Sequence, residues 1–264
     1  MNEKLMRKIL SLIVLMLMVF PLSGCKHKEK DTVDINEENF PDPKVLEEAK
    51  EYDFDNSGKL SLSERKIMTD LHLENVEKLD GIEYFPNLDH LSFNYSDCSD
   101  YDFSKLPKLE NLHFFECKFR KLDLSGNLEL DHLTVSYCEI EELKLPSGDE
   151  LMDLYCDNCG LASLDLTSCP GLMRFSADYN ELTELDLSCC PKLISFSGVG
   201  NKISKLDISS CPDLIKAVEN SEPVMGPYGD DEDTMSYQYY YDDPDDLILS
   251  GLSVHIDADT ELVY

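Results

Sequence analysis

Apolar residues in the middle of the chain recur with a period of twenty-one. Segments opening at Pro86, Pro107, Leu128, Asp149, Pro170, Pro191 and Pro212 share one register, and six of them carry one apolar template. The template reads Leu109, Leu112, Phe114, Cys117, Phe119 in one unit and Leu172, Phe175, Ala177, Asn180, Leu182 in another. Successive side chains of a strand face opposite sides, so alternating pairs such as Leu133 and Val135 point into a core while their neighbours point out. A second cluster, as in Leu185-Asp186-Leu187, alternates again and supplies an opposite wall too short for a helix. A unit of this length cannot bury its apolar face alone, so neighbours must stack. The pattern therefore predicts one elongated, β-rich body of parallel strands rather than two compact domains.

The spacing L-x-x-L-x-L-x-x-N/C-x-L is the leucine-rich-repeat signature. The phrase Leu79-Asp80-Gly81-Ile82-Glu83-Tyr84-Phe85-Pro86-Asn87-Leu88 resembles the entry to internalin-like bacterial leucine-rich-repeat proteins. The resemblance covers roughly residues 68–218 and implies a leucine-rich-repeat solenoid, a scaffold that hosts many ligands. It makes Ser96, Cys117, Cys138, Cys159, Asn180 and Asn201 the ladder column, where an inward Asn bonds backbone groups of adjacent turns and Cys fills the same volume. Cys169, Cys190 and Cys211 form a second column ahead of proline. Cys156 and Cys159 spell C-x-x-C, but their register is an inward slot and a ladder slot, and no second pair completes a zinc site. The template decays from Pro212, where Ala217 and Glu219 replace the apolar pair. Residues 86–218 are thus expected to be the repeats, and residues 219–264 an acidic C-terminal β cap covering the last core edge.

At the other end, Lys4, Arg7 and Lys8 precede the apolar run Ile9 to Phe20 and the sequence Leu22-Ser23-Gly24-Cys25. The run is short for a membrane span, and the ending resembles the bacterial lipobox. The resemblance implies that residues 1–24 are a lipoprotein signal peptide and that Cys25 is acylated, anchoring the protein at the bacterial cell envelope outside the cytoplasm. An ordinary cleaved signal or an uncleaved helix are the competing readings. Residues 25–41 are polar and predict a flexible tether, on the order of 20 Å end to end. The formal net charge of −31 repels polyphosphate and anionic lipid, which excludes nucleic acid as a partner and leaves membrane contact to the acyl chains.

Residues 42–85 are expected to form a helical N-terminal cap. Asp42-Pro43 is a helix start, and the helix runs into Asp53-Phe54-Asp55-Asn56-Ser57-Gly58-Lys59-Leu60-Ser61-Leu62-Ser63-Glu64. This resembles the twelve-residue EF-hand or dockerin-type calcium loop. Asp53, Asp55 and Ser57 alternate so that their oxygens converge, Gly58 permits the turn, Lys59 offers its carbonyl, Ser61 acts directly or through water, and Glu64 supplies a bidentate carboxylate. Ser57 and Ser61 stand where stronger binders carry Asp, so the expected calcium affinity is weak. A metal-free Asx-rich turn is the alternative. Ser61 and Glu64 also make a capping box for a second helix toward Met68.

Outward strand positions form three columns. One is His90, Asn111, His132, Asp153, Arg174, Ser195; the next Ser92, His113, Thr134, Tyr155, Ser176, Ser197; the third Asn94, Phe115, Ser136, Asp157, Asp178, Val199. With strands about 4.8 Å apart, His113, Phe115, Tyr155, Asp157, Arg174 and Asp178 are expected to share a ligand patch. The alternative is an ordinary solvated face. No phosphate loop, nucleophile elbow or zinc-protease helix appears, so no catalytic activity is expected. The expected function is recognition of a protein or glycan partner by a monomeric, lipid-anchored surface protein with a calcium-stabilised cap; the alternative is an envelope scaffold without a dedicated ligand.

Overall fold

A computed structural model describes residues 31–220, 224–225, 234–239 and 252–264. Cys25, the apolar run before it and the acidic turns around Asp231 and Asp245 lie outside the described residues.

The described chain opens with strand β1 (Thr32–Asp34), helix α1 (Pro43–Glu51), strand β2 (Lys59–Ser61) and a single helical turn, α2 (Leu62–Arg65). Asp42 caps α1: one carboxylate oxygen accepts the Lys44 N–H at 2.9 Å, and the other accepts the Glu77 N–H at 2.9 Å, tying the helix to the repeat entry. The tether expected over residues 25–41 is shorter than its sequence implies. Residues 32–34 pair antiparallel with residues 59–61, and Phe40 is fully buried, with ring centroids 5.7 Å from Tyr84 and 6.2 Å from Phe85. The exposed edge of β2 gains a partner, and one aromatic side chain anchors an otherwise polar segment. The second helix stops after α2 rather than continuing to Met68, which packs into the core.

Strands β3 (Asp70–Glu74), β4 (His90–Asn94), β5 (Asn111–Phe115), β6 (Lys121–Asp123), β7 (His132–Ser136), β8 (Glu142–Lys144), β9 (Asp153–Tyr155), β10 (Arg174–Ser176), β11 (Ser195–Ser197) and β12 (Lys205–Asp207) follow. Helix α3 (Pro212–Asn220) and strands β13 (Val224–Met225), β14 (Thr234–Tyr239), β15 (Leu252–Asp257) and β16 (Glu261–Val263) complete the chain. One ten-stranded sheet has the order β13-β14-β15-β11-β10-β9-β7-β5-β4-β3 and is parallel from β3 to β15. Its register follows the sequence period: Leu91, Leu112, Leu133, Leu154, Phe175, Phe196 and Val254 are successive partners, and all are buried. The opposite wall carries short parallel pairs among the described residues, β6 with β8 and β12 with β16.

The ladder column is inward as its register requires. Asn180 donates to the carbonyls of Cys156, Ala177 and Asp178 at 2.7, 3.0 and 3.2 Å, and its Oδ1 accepts the N–H groups of Cys159 and Leu161 at 3.0 Å. In the cysteine turns the thiol takes over: Cys159 Sγ donates to Val135 and Asp157 carbonyls at 3.1 and 3.3 Å. Burial pushes the thiols of Cys159 and Cys211 up to about 11 and that of Cys190 up to about 12, so all three are protonated donors at neutral pH. The nine cysteines among the described residues are unpaired thiols. Asn127, in the register of Cys169 and Cys190, is a second buried amide that donates to the Phe103 and Leu106 carbonyls at 2.9 and 3.0 Å.

At the C-terminal end the boundary expected at residue 218 falls inside a helix. Leu214, Ala217 and Val218 are the buried residues of α3; their spacing is helical, so what reads as a failing strand template is one face of a helix. β15 then extends the main sheet, and the Asp257 carboxylate accepts the Gly200 and Asn201 N–H groups at 2.8 and 3.0 Å. Those donors close the last repeat, which has no further repeat to bond.

Candidate functional site

The N-terminal loop places oxygen ligands together. Carboxylate oxygens of Asp53, Asp55 and Glu64 lie within 4.8 Å of one another. The backbone shapes this cluster: Asn56 and Gly58 take positive φ of 54° and 76°, and the Ser57 N–H is shared between Asp53 and Asp55 at 2.9 and 3.0 Å. Ser57 Oγ sits 3.0 Å from the Lys59 carbonyl, bringing two more oxygens to the loop. Glu64 is buried; its oxygens accept the Phe54 N–H at 2.9 Å and the Ser61 N–H and hydroxyl at 2.8 Å. The hydrogen bond from Ser57 holds the Asp55 carboxyl below its usual range, favouring the charged form. Hard oxygen donors, converging charge and a pre-positioned Glu64 fit calcium. The hydrophobic loop residue Leu60 is fully buried, and its strand pairs antiparallel with β1.

The outward face of the main sheet divides the expected patch in two. Tyr155, Asp157, Arg174 and Asp178 line one shallow cavity of about 440 Å³, which also takes in Ser195 and Ser253. Arg174 is held over it by Asp153, a buried carboxylate 2.6 Å from the guanidinium and 2.9 Å from His132 Nδ1. The bond to Asp153 raises the Arg174 pKa, keeping this cation charged. Asp157 and Asp178 face the cavity but are committed to the fold. Asp157 accepts the Ser176 hydroxyl at 2.6 Å and the Asp178 N–H at 2.8 Å, and Asp178 accepts the Ser197 hydroxyl at 2.7 Å and the Val199 N–H at 2.8 Å. Val199, outward by column, is buried beside β15, whose His255 carbonyl accepts the Gly198 N–H at 3.0 Å.

Phe115 lies outside this cavity. It packs edge-on between Tyr95 and Tyr137, with centroids 5.7 and 5.4 Å away. His113 is on β5, two strands from Tyr155 in its column, and burial lowers its pKa. His90, His113 and His132 form no ligand cluster among the described residues; His90 and His132 instead meet Asp89 at 2.7 Å and Asp153 at 2.9 Å. Sequence reasoning puts His132, Asp153 and Arg174 in one outward column without pairing them, and the tyrosine flanks of Phe115 fall in turn positions outside the strand columns.

Burial pushes the Asp178 carboxyl up to about 6. A folded-state value above the unfolded one, about 3.9, means that its contribution is fully present below pH 4 and is lost as pH rises through 6. Asp178→Asn is therefore expected to gain stability relative to the wild type between pH 4 and 7, read as the difference between two urea-melt series. An unchanged difference across that window would contradict the assignment.

No protein-family model and no curated protein matches the chain. Solved structures do. The internalin InlF from Listeria monocytogenes str. 4b F2365 aligns at 21% identity over 68% of this chain and 62% of its own, with a TM-score of 0.51. InlP from Listeria monocytogenes aligns at 18% identity over 70% of this chain and 56% of its own, with a TM-score of 0.52. The chain spans less than two thirds of either protein's length. Its fold is a parallel-strand leucine-rich-repeat solenoid with twenty-one-residue turns, similar to that of these internalins.

Proposed function

We propose that this chain is a binding protein of the bacterial cell envelope, held outside the cytoplasm by a lipid on Cys25, that recognises a protein or glycan partner through its concave face. The observation that carries the reading is the cavity around Tyr155 and Arg174, where a guanidinium fixed by buried Asp153 stands beside a phenol and several hydroxyls. Pre-positioned polar groups beside an aromatic ring recognise ligands at little conformational cost. The test is capture from defined protein and glycan arrays with the wild type and a Tyr155→Ala/Arg174→Ala variant. Capture lost in the variant supports the concave face; capture unchanged removes it. One observation favours a second reading, an envelope scaffold without a dedicated ligand: Asp157 and Asp178 are spent on bonds between turns.

Calcium belongs to this reading as a stabiliser of the cap through Asp53, Asp55, Ser57, Lys59, Ser61 and Glu64. Extracellular modules of this type bind at about 10⁻⁴–10⁻³ M, so 10 mM calcium is expected to raise stability by roughly 1.4–2.7 kcal/mol. The thermal midpoint should rise with calcium, and Glu64→Gln should remove most of the rise. Equal shifts with calcium and magnesium, or an undiminished shift in Glu64→Gln, would argue against the site.

A further inference from the structure

Three of the exposed large apolar side chains occupy one position of the repeat. Tyr95, Tyr137 and Tyr179 are 51%, 57% and 50% exposed, and each directly precedes a ladder residue. All three have left-handed backbone, with φ of 53°, 57° and 55°. The same column holds Asn158 and Gly200, residue types that enter this region easily, whereas a bulky side chain there costs free energy. The geometry is enforced by bonds to the next turn: the N–H groups of Tyr95, Tyr137 and Tyr179 donate to the carbonyls of Phe115, Asp157 and Val199 at 2.9, 3.1 and 2.7 Å. Those backbone bonds need no tyrosine. Solubility in a strongly acidic chain needs none either, and the contacts the rings make, with Phe115 and across Gly200, leave about half of each tyrosine in water.

Their arrangement is regular. The tyrosines come every second turn, 42 residues apart, which at the spacing of neighbouring strands is about 10 Å. Phe115 fills the first interval edge-on, and Tyr179 lies across Gly200, where an added Cβ would come 2.5 Å from its ring. The surface is a line one ring wide. At half exposure three tyrosines offer on the order of 300 Å², well short of the roughly 800 Å² per partner that a stable protein interface covers. A linear polymer fits a line of this kind. An extended β-1,4-linked polysaccharide presents the same C–H face of every second sugar at close to this interval, and those faces stack on aromatic rings while the hydroxyls reach flanking groups such as Asn94, Ser136 and Asn158. The net charge of −31, with Glu116 inside the column itself, opposes an anionic polymer.

We propose that Tyr95, Tyr137 and Tyr179, with Phe115, form a binding platform for an uncharged, extended β-1,4-linked glycan. The proposal rests on the surface-binding role above and names a ligand class for one edge of the concave face, apart from the Arg174 cavity. The test titrates the full chain with cellohexaose, N-acetyl-chitohexaose and, as the α-linked counterpart, maltohexaose. The variant is Tyr95→Asn/Tyr137→Asn/Tyr179→Asn, which places at each position the residue type that already stands at 158, so its fold is retained and its thermal midpoint should equal or exceed that of the wild type.

The expected result is binding of at least one β-linked hexasaccharide, weaker binding of the corresponding trisaccharide, and a loss of about tenfold or more in the variant. No binding of either β-linked sugar, equal binding of maltohexaose, or undiminished binding by the asparagine variant overturns the proposal. So does a protein partner captured through the tyrosines in place of glycan. Should the sugars fail while capture through the Arg174 cavity persists, the platform falls and the wider binding role stands.

Discussion

Asn180→Leu is expected to cost at least about 4 kcal/mol of unfolding free energy, against roughly 1–2 kcal/mol for Asn180→Cys. The asparagine has five backbone partners on two turns, and leucine satisfies none of them. The N–H groups of Cys159 and Leu161 would be left buried without an acceptor, each costing about 1–3 kcal/mol, before the three carbonyls are considered. Leucine has as many side-chain heavy atoms and fills more space, so no cavity opens and the penalty is polar, with any overpacking adding to it. Cysteine is different because the three preceding turns already use it at this position. In the same column the Cys138 sulfur accepts the Cys117 N–H at 3.3 Å, and Cys159 donates to two carbonyls. A thiol is a weaker partner than an amide, which sets the intermediate cost. Urea denaturation of the three proteins gives the ordering directly, and a leucine variant at least as stable as the cysteine variant would mean that the column is only packing. Against a total stability of about 5–15 kcal/mol for an ordinary domain, the leucine change places the middle of the solenoid near unfolding.

The column was legible because a solenoid repeats its geometry. Once the period is known, each offset has one environment, and residue type at that offset reports it: leucine and phenylalanine inward, asparagine or cysteine on the ladder, polar residues on the concave strands. Three kinds of feature escape that logic. The first is chain outside the period. Thr32-Val33-Asp34 has no apolar run, yet it forms a strand because β2 offers an unpaired edge, and Phe40 reads as part of a polar spacer although Tyr84 and Phe85 bury it. The second is a change of period: Leu214, Ala217 and Val218 fail the strand template and satisfy a helix. The third is pairing within a column. His132, Asp153 and Arg174 are successive partners in the sheet, and residue type at one offset does not report that their side chains meet around one buried carboxylate. The left-handed tyrosines are hidden for another reason, since nothing in a tyrosine signals positive φ, whereas Asn75, Asn158 and Gly200 at the same position of other turns do.

The same reasoning explains why one glycine should be intolerant of change. Gly171→Ala is expected to destabilise the protein by about 3 kcal/mol or more, at the upper end for overpacking, while Lys192→Ala, one turn later at the same offset, should stay within about 0.5 kcal/mol. The other units carry Asn87, Lys108, Glu129, Glu150 and Lys192 at this offset, so the repeat itself does not require glycine. The requirement comes from the turn before. There Leu145-Pro146-Ser147-Gly148 replaces the usual turn sequence, Gly148 takes φ of 125°, and the backbone of Asp149 lies against Gly171. A Cβ on residue 171 would stand 2.0 Å from the Asp149 carbonyl oxygen and 2.5 Å from its carbon. Neither atom belongs to a flexible side chain, so relief requires moving a backbone that the Gly148 N–H ties to the Ser168 carbonyl at 3.0 Å. Thermal unfolding of the two variants side by side tests this. A small, equal shift in both would show that the 149–171 contact relaxes freely and that the turn at Gly148 is pliable rather than fixed.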